Sequence, residues 1–313
     1  MYSTVLFILT FVLVVTHVTS LEYISSGDLT FPTDIAAETL TVKLDSGSIS
    51  DIPLSIIEPL TQLQKLTVIN HALTTFPDLT PVGDTLTFLD LSQNDIVYID
   101  PAYFDALKVI EIVFLYKNYN LGTIPNVDGP ANTLIELKLW NTPYVTTPLL
   151  SKYKNLQVLS YARAQNVEEA VCTGLESLVN LYLKGSKIPA LPEVADAYQT
   201  LNVLELKECQ RLVDAPELRA AKLRNITKLD LIDSALTTLP TLCLWEPGNI
   251  EIKAIDSSLD PCSCEMIWLK MVEEAGGIVS DMSASCAGTP WLDLTAEDMM
   301  YMCPQVSPSN GRC

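Results

Sequence analysis

Basic residues are scarce in this chain of 313 residues. It contains 19 Lys and Arg against 38 Asp and Glu, which gives a formal net charge of −19. This balance argues against a nucleic-acid partner, because a phosphate backbone is bound by a basic surface. The carboxylates form no continuous block, so we interpret the charge as general solubility and not as a polyacidic or mineral-binding function.

Catalytic signatures are also missing. The sequence contains no cluster of metal ligands, no glycine-rich phosphate loop and no nucleophile motif. His71 is one of only two histidines, and it lies in a repeated pattern that gives it a structural explanation. Asp230 and Asp233 form a carboxylate pair that is typical of solvated charges at a strand edge. We therefore expect no enzyme activity, no cofactor and no metal site.

Long apolar runs are confined to the amino terminus. One run spans residues 5–15, and small residues follow it at positions 18–20. The run is too short to cross a bilayer, so we interpret residues 1–20 as a secretory signal peptide, with a membrane anchor as the alternative. No later segment is long and apolar enough to span a membrane. We expect a secreted, extracellular protein without a membrane span.

An internal repeat dominates the rest of the chain. In the segment that begins at Leu86, apolar residues occupy positions 1, 4, 6, 11 and 14, and Asn94 occupies position 9. Ten such segments follow one another, each 22 to 25 residues after the last, and we number them coils 1 to 10. They begin at Thr39, Leu63, Leu86, Ile110, Leu134, Leu156, Leu178, Leu201, Ile226 and Asn249. Alternation at positions 4 and 6 predicts a strand with one buried face, and neighbouring coils must stack to bury it.

This pattern resembles that of leucine-rich-repeat proteins over residues 39–259. The resemblance implies an α/β solenoid, with a curved parallel β-sheet on the concave face and an irregular, polyproline-like or short helical convex side. At position 9, Asn94 and Asn118 match the family residue, whereas His71 and Ala164 depart from it. The position-9 side chain satisfies backbone groups in the turn after the strand. We call the row of these side chains along the coils the polar ladder, and we expect the ladder to be imperfect because of the two departures.

The carboxy-terminal end of the solenoid also resembles a known element. Residues 260–304 match the cysteine-bearing cap of extracellular leucine-rich-repeat proteins, through a Cys-x-Cys pair, a Trp-Leu segment and two later cysteines. The resemblance implies a disulfide between Cys262 and Cys286 and another between Cys264 and Cys303. The sequence alone permits three pairings. A zinc site is the alternative, although Cys-x-Cys is tighter than the usual zinc spacing.

The amino-terminal cap differs from the family pattern. Residues 21–38 contain no cysteine, so they must close the solenoid without a disulfide. We expect Leu29, Phe31 and Ile35 to cover the first coil.

Four cysteines lie outside the carboxy-terminal cap. We expect Cys172 and Cys209 to be buried free thiols. Cys313 ends a tail formed by residues 305–313. It could bond Cys243, bond a second chain or remain free, and a disulfide-linked dimer is one hypothesis.

A candidate binding patch lies on the concave face. Positions 3, 5 and 7 of each strand point away from the core, and in coils 3 to 7 several of them carry aromatic or aliphatic residues with charged neighbours. The candidate patch consists of Phe88, Phe114, Tyr116, Lys138, Trp140, Arg163 and Tyr182. An apolar cluster with a charged rim is typical of protein-binding hot spots, while simple packing of strand-favouring aromatics is the alternative.

The sequence therefore predicts a secreted recognition protein whose partner is an extracellular protein or glycoprotein. A structural matrix or adhesion component without one discrete ligand is the alternative. Asn225 begins the N-glycosylation sequon of this chain, Asn225-Ile226-Thr227, whereas Asn141 has Pro143 where the sequon needs Ser or Thr. Asn225 directly precedes a predicted strand, so a glycan there would leave the concave face open.

Overall fold

The computed structural model describes residues 22–304, except residues 29, 144–149, 166, 168, 216–222, 240–241, 243–246 and 281–284. The predicted signal peptide and the tail lie outside the described residues, as do Leu29, Cys243 and Cys313.

One long parallel sheet organises the molecule. In the part of the chain that the structure describes, twelve strands pair in sequence order. The strands are β1 (Glu22–Ser26), β2 (Thr41–Asp45), β3 (Lys65–Ile69), β4 (Phe88–Asp90), β5 (Ile112–Phe114), β6 (Glu136–Lys138), β7 (Val158–Ser160), β8 (Asn180–Tyr182), β9 (Val203–Glu205), β10 (Lys228–Asp230), β11 (Glu251–Lys253) and β12 (Ile278–Ser280). This arrangement confirms the predicted solenoid, and β1 and β12 make the sheet two strands longer than the ten repeated segments.

The register is constant along the sheet. β2 to β11 each begin at position 3 of coils 1 to 10, and each position pairs with the same position of the next coil. Leu66, Leu89 and Val113 occupy position 4 of successive strands, and all three are fully buried. A shift by one residue would turn every such side chain outward, and burial of each contributes about 1.5–3 kcal/mol. The core is one continuous cluster from Phe31 to Cys303.

Helical segments are few and short in the described part of the chain. α1 (Leu54–Ile57) and α2 (Pro101–Asp105) lie on the convex side, where single 3₁₀ turns occupy other coils. α2 begins where it does because the Asp100 carboxylate accepts the Ala102 N–H at 2.8 Å and proline occupies the first helical position. None of the described helices is long and apolar enough to cross a membrane.

A left-handed residue follows every strand from β2 to β11. Position 8 has a φ between 51° and 67° in all ten coils, and Gly185 is the one glycine among these residues. This conformation costs other residues about 1–2 kcal/mol. In coils 1 to 9 the position-8 N–H donates to the position-7 carbonyl of the next coil, as Gln93 does to Tyr116 at 2.8 Å. These bonds hold the turn, and they bring the position-8 side chain to the rim of the sheet face.

The position-9 side chains form the expected polar ladder. Asn118 Oδ1 accepts the Ile96 N–H at 3.0 Å, while its Nδ2 donates to the Leu91 and Leu115 carbonyls. His71 replaces this asparagine with one bond, in which Nδ1 accepts the Ile49 N–H at 3.2 Å. The His71 Nε2 is buried without a partner among the described residues. The ladder is therefore imperfect, as predicted.

Two disulfides close the carboxy-terminal cap. Cys262 pairs with Cys286 and Cys264 pairs with Cys303, which confirms the implied pairing and leaves none of these thiolates for zinc. The cap contains α3 (Ile267–Glu274), α4 (Ala296–Met302), β12 and the antiparallel pair β13 (Ser285–Cys286) and β14 (Thr289–Pro290). Trp268 joins the cap to the solenoid, because its Nε1 donates to the Leu239 carbonyl at 3.0 Å.

The amino-terminal cap uses a strand and an aromatic side chain. β1 pairs with β2 along its full length, and Phe31 is buried in the core. Ile35 is partly buried against the same core. Cys172 and Cys209 are buried free thiols as expected, and burial raises the pKa of each to about 12.

Candidate binding surface

The predicted patch lies on the face of the sheet that points away from the core. Phe88 and Phe114 occupy positions 3 and 5 on β4 and β5, and Lys138 occupies position 5 on β6. Tyr116 and Trp140 lie at position 7, just beyond the ends of β5 and β6. All five side chains are half-buried, so each keeps part of its surface in solvent. Strand pairing fixes the backbones of Phe88, Phe114 and Lys138. The Tyr116 and Trp140 carbonyls each accept a backbone N–H of the preceding coil at 2.8 Å.

One half of the patch is a pair of phenylalanine rings. Phe88 and Phe114 meet edge to face, with centroids 5.4 Å apart and an interplanar angle of 79°. Lys138 Nζ lies 4.2 Å from the Phe114 centroid and 2.7 Å from Glu136 Oε1. Edge-to-face packing and a cation over a ring each stabilise by about 0.5–1.5 kcal/mol. This half of the patch is therefore apolar, with its cation already neutralised by a carboxylate.

The other half is centred on Trp140. Its ring lies 6.1 Å from the Tyr116 ring, centroid to centroid. Arg163 Cζ lies 5.7 Å from the Trp140 centroid, and Lys117 Nζ lies 5.4 Å from it. Arg163 was predicted to flank the patch, whereas Lys117 was not. Both cations stand at position 8, in the left-handed turn after the strand, and they approach Trp140 from the coils on either side.

Tyr182 is not joined to these rings. It lies on β8, two strands from β6, which is about 10 Å across the sheet. Among the described residues it makes no ring contact with Trp140 or Phe114. Burial raises its pKa, and the nearby carboxylates of Glu205 and Glu136 add to that effect. Tyr182 therefore stands at the border of the patch.

A buried carboxylate lies beside the aromatic rings. Asp90 occupies position 5 on β4, and its Oδ1 accepts the Ser92 N–H at 2.9 Å. Burial raises the pKa of Asp90, while this hydrogen bond and the charge of Lys138 oppose the change. Burial also raises the pKa of Tyr116, and the Asp90 charge adds to that effect. Asp90 therefore places a buried hydrogen-bond acceptor beside the aromatic rings.

Nothing in the described part of the chain suggests a metal centre. No group of three or more His, Cys, Asp or Glu side chains is placed to hold an ion among those residues.

The predicted glycosylation site lies at the edge of the sheet. Asn225 directly precedes the strand segment of coil 9 and is half-buried, with its Nδ2 donating to the Gln199 carbonyl. Thr227 of the same sequon donates through Oγ1 to Asn202 Oδ1 at 2.8 Å. Neither residue occupies position 3, 5 or 7, so the sequon is separate from the aromatic patch.

Comparison with known proteins supports the fold. No protein-family model matches the chain. Podocan-like protein 1 of Homo sapiens is 27% identical over 230 residues, which cover 70% of this chain and 40% of that protein. The chain thus matches less than half the length of this relative.

Two solved structures share the solenoid. The leucine-rich repeat domain of APL1B has a TM-score of 0.51 at 18% identity, over 92% of this chain and 95% of that one. The Drosophila Toll–Spatzle complex has a TM-score of 0.57 at 16% identity, over 87% of this chain and 41% of that one. Together with the constant register, the polar ladder and the paired cysteines, these likenesses identify the chain as a leucine-rich-repeat solenoid with a disulfide-bonded carboxy-terminal cap.

Proposed function

We propose that this chain is a secreted protein that recognises an extracellular protein through the concave face of its sheet. The contact would be centred on Phe114, Tyr116 and Trp140. The observation that carries this proposal is the half-exposed set of aromatic pairs on a sheet face, with cations over two of the rings.

The composition of the patch supports binding over simple packing. Trp, Tyr and Arg are the residue types most enriched in binding hot spots. Rings that served only to fill space would be covered, whereas Phe114, Tyr116 and Trp140 each remain partly open to solvent. Their backbones are held by the sheet, so little conformational entropy would be lost when a partner binds.

Other features support a protein partner outside the cell. Disulfides such as those of the cap persist in oxidising compartments, which agrees with the predicted signal peptide. One structure with the same fold is that of Toll in a complex with Spatzle, so a protein partner is a natural expectation for this fold.

The test is partner capture with two matched variants. Trp140→Glu places a charge at the centre of the patch, whereas Ile255→Glu makes the same kind of change at position 7 of coil 10. Both residues are half-buried. We expect wild type and Ile255→Glu to capture the same extracellular protein, and Trp140→Glu to lose it by at least about tenfold while remaining folded. Equal capture by all three proteins would contradict the proposal.

A further inference from the structure

The sheet face has an uneven distribution of charge. The whole chain contains two carboxylates for each cation. Positions 3, 5, 7 and 8 of coils 8 to 10 keep that ratio, with six carboxylates and three cations. We call the same positions of coils 4 to 7 the central face, and there the ratio is reversed. The central face carries Lys117, Lys138, Arg163 and Lys184 against Glu136 alone.

Ion pairs neutralise only part of this positive charge. Lys138 pairs with Glu136 at 2.7 Å, and Lys184 pairs with Glu208 of the next coil at 3.3 Å. In the part of the chain that the structure describes, no carboxylate forms an ion pair with Lys117 or Arg163. The polar contact of Lys117 is with Gln93 Oε1, at 3.4 Å.

The two unneutralised cations lie beside the same aromatic ring. Lys117 precedes Trp140 by one coil, Arg163 follows it by one coil, and both stand within 5.7 Å of its centroid. A basic partner would be repelled by these two cations, and a neutral partner would form no charge-assisted contact with them. An acidic partner would gain charge-assisted hydrogen bonds from both while its apolar side chains cover the rings.

We propose that the segment bound on the central face is an acidic peptide, whose carboxylates meet Lys117 and Arg163 and whose apolar side chain packs on Trp140. This inference rests on the proposed function and specifies the chemistry of its partner. A peptide fits better than a uniformly charged sulfated polysaccharide, because the Phe88–Phe114 half of the patch offers an apolar surface with a neutralised cation.

The test measures binding of labelled peptides to the full chain by fluorescence anisotropy. Three short peptides of equal length share one Trp and two Leu, and differ in carrying Glu, Gln or Lys at the other positions. Heparin is included in the test as the competing ligand class, a sulfated polysaccharide. We expect the Glu peptide to bind at least about tenfold more tightly than the Gln peptide, with a smaller difference as salt rises from about 50 to 300 mM.

Two double variants, each of which changes the net charge by the same amount, show which residues cause the preference for the Glu peptide. Lys117→Glu with Arg163→Glu should abolish the preference for the Glu peptide. Lys43→Glu with Lys65→Glu makes the same change on exposed residues of coils 1 and 2, and should keep the preference. Equal binding of the three peptides, preference for the Lys peptide, binding of heparin alone, or loss of the preference in both double variants would overturn the inference.

The same variants separate the acidic chemistry of the partner from binding on the concave face. If Trp140→Glu loses the captured partner while the Lys117 and Arg163 variant keeps it, the concave face binds and the acidic assignment is wrong. If Trp140→Glu keeps the partner, the proposed function itself is wrong.

Discussion

At the scale of single residues, two position-9 side chains show how polar groups hold the solenoid. His71 accepts a backbone N–H through Nδ1, so its proton must lie on Nε2. A second proton on Nδ1 would break that bond inside the core. Burial accordingly lowers the pKa of His71, although the charges of Asp28 and Asp45 act against the change.

This shift predicts a loss of stability in mild acid. The unfolded chain takes up a proton on His71 near pH 6.5, while the folded chain does so only at lower pH. The contribution of His71 to the free energy of unfolding should therefore be constant above about pH 6.5 and should decrease below that pH. His71→Asn keeps an acceptor that does not titrate, so urea unfolding should show the wild type losing stability relative to the variant between about pH 7 and pH 5. Parallel pH curves for the two proteins would rule out this role.

Asn118 should be among the most sensitive polar residues of the chain. Asn118→Ala leaves one buried N–H and two buried carbonyls without their side-chain partner. We expect a loss of about 2–4 kcal/mol in the free energy of unfolding, measured in urea. The control is Asn120→Ala, which changes an exposed residue two positions away and should alter stability by less than about 0.5 kcal/mol. Similar effects of the two substitutions would contradict the stabilising role of Asn118 in the polar ladder.

At the scale of elements, sequence periodicity was sufficient to predict β2 to β11. Alternating buried positions such as Leu89 and Leu91 fix both the strand and its face, and the repeat fixes the register. β1 and β12 were missed because one strand at each end lacks the repeated leucines. The left-handed turn at position 8 was also missed, since residues such as Lys117 give no local signal for a positive φ.

The candidate site was predictable in part, for the same physical reasons. Tyr116 and Trp140 share the position-7 column of neighbouring coils, and their rings meet as the pattern indicates. The contact of Phe88 with Phe114 was not predicted, because it joins position 3 of β4 to position 5 of β5 and so crosses columns. Lys117 was missed, although Arg163 stands at the equivalent position 8 on the other side of Trp140 and was predicted. The sequence pattern shows which residues occupy equivalent positions on neighbouring strands. It does not show how far each side chain extends toward residues at other positions.

The carboxy-terminal cap should behave as a locally stabilised element. Removal of the Cys264–Cys303 disulfide, by Ser at both positions, frees a loop of 39 residues, which is a cost of about 4 kcal/mol by loop entropy. In a solenoid each coil contacts only its neighbours. Amide hydrogen exchange should therefore accelerate in α3 and α4 while β2 to β8 keep their protection. Uniform acceleration along the chain would show that the cap does not act locally.

At the scale of the whole molecule, secretion and glycosylation can be tested together. When the full chain is expressed in secretory cells, the protein in the medium should begin at Leu21, as amino-terminal sequencing would show. Endoglycosidase should lower its mass, and Asn225→Gln should remove that shift. Asn141→Gln is the matched control and should leave the shift unchanged, because Pro143 stands where a sequon needs Ser or Thr. A glycan on Asn141, or retention of the protein inside the cell, would contradict these expectations.

The most direct test of recognition through the concave face is radical footprinting of the captured complex against the free protein. Partner binding should protect Trp140, Tyr116 and Phe114 from oxidation. Tyr98 and Tyr301 are 58% and 89% exposed and lie away from the patch, so their labelling should not change. Unchanged labelling of Trp140 with protection at Tyr98 or Tyr301 would place the partner elsewhere and contradict the proposed function.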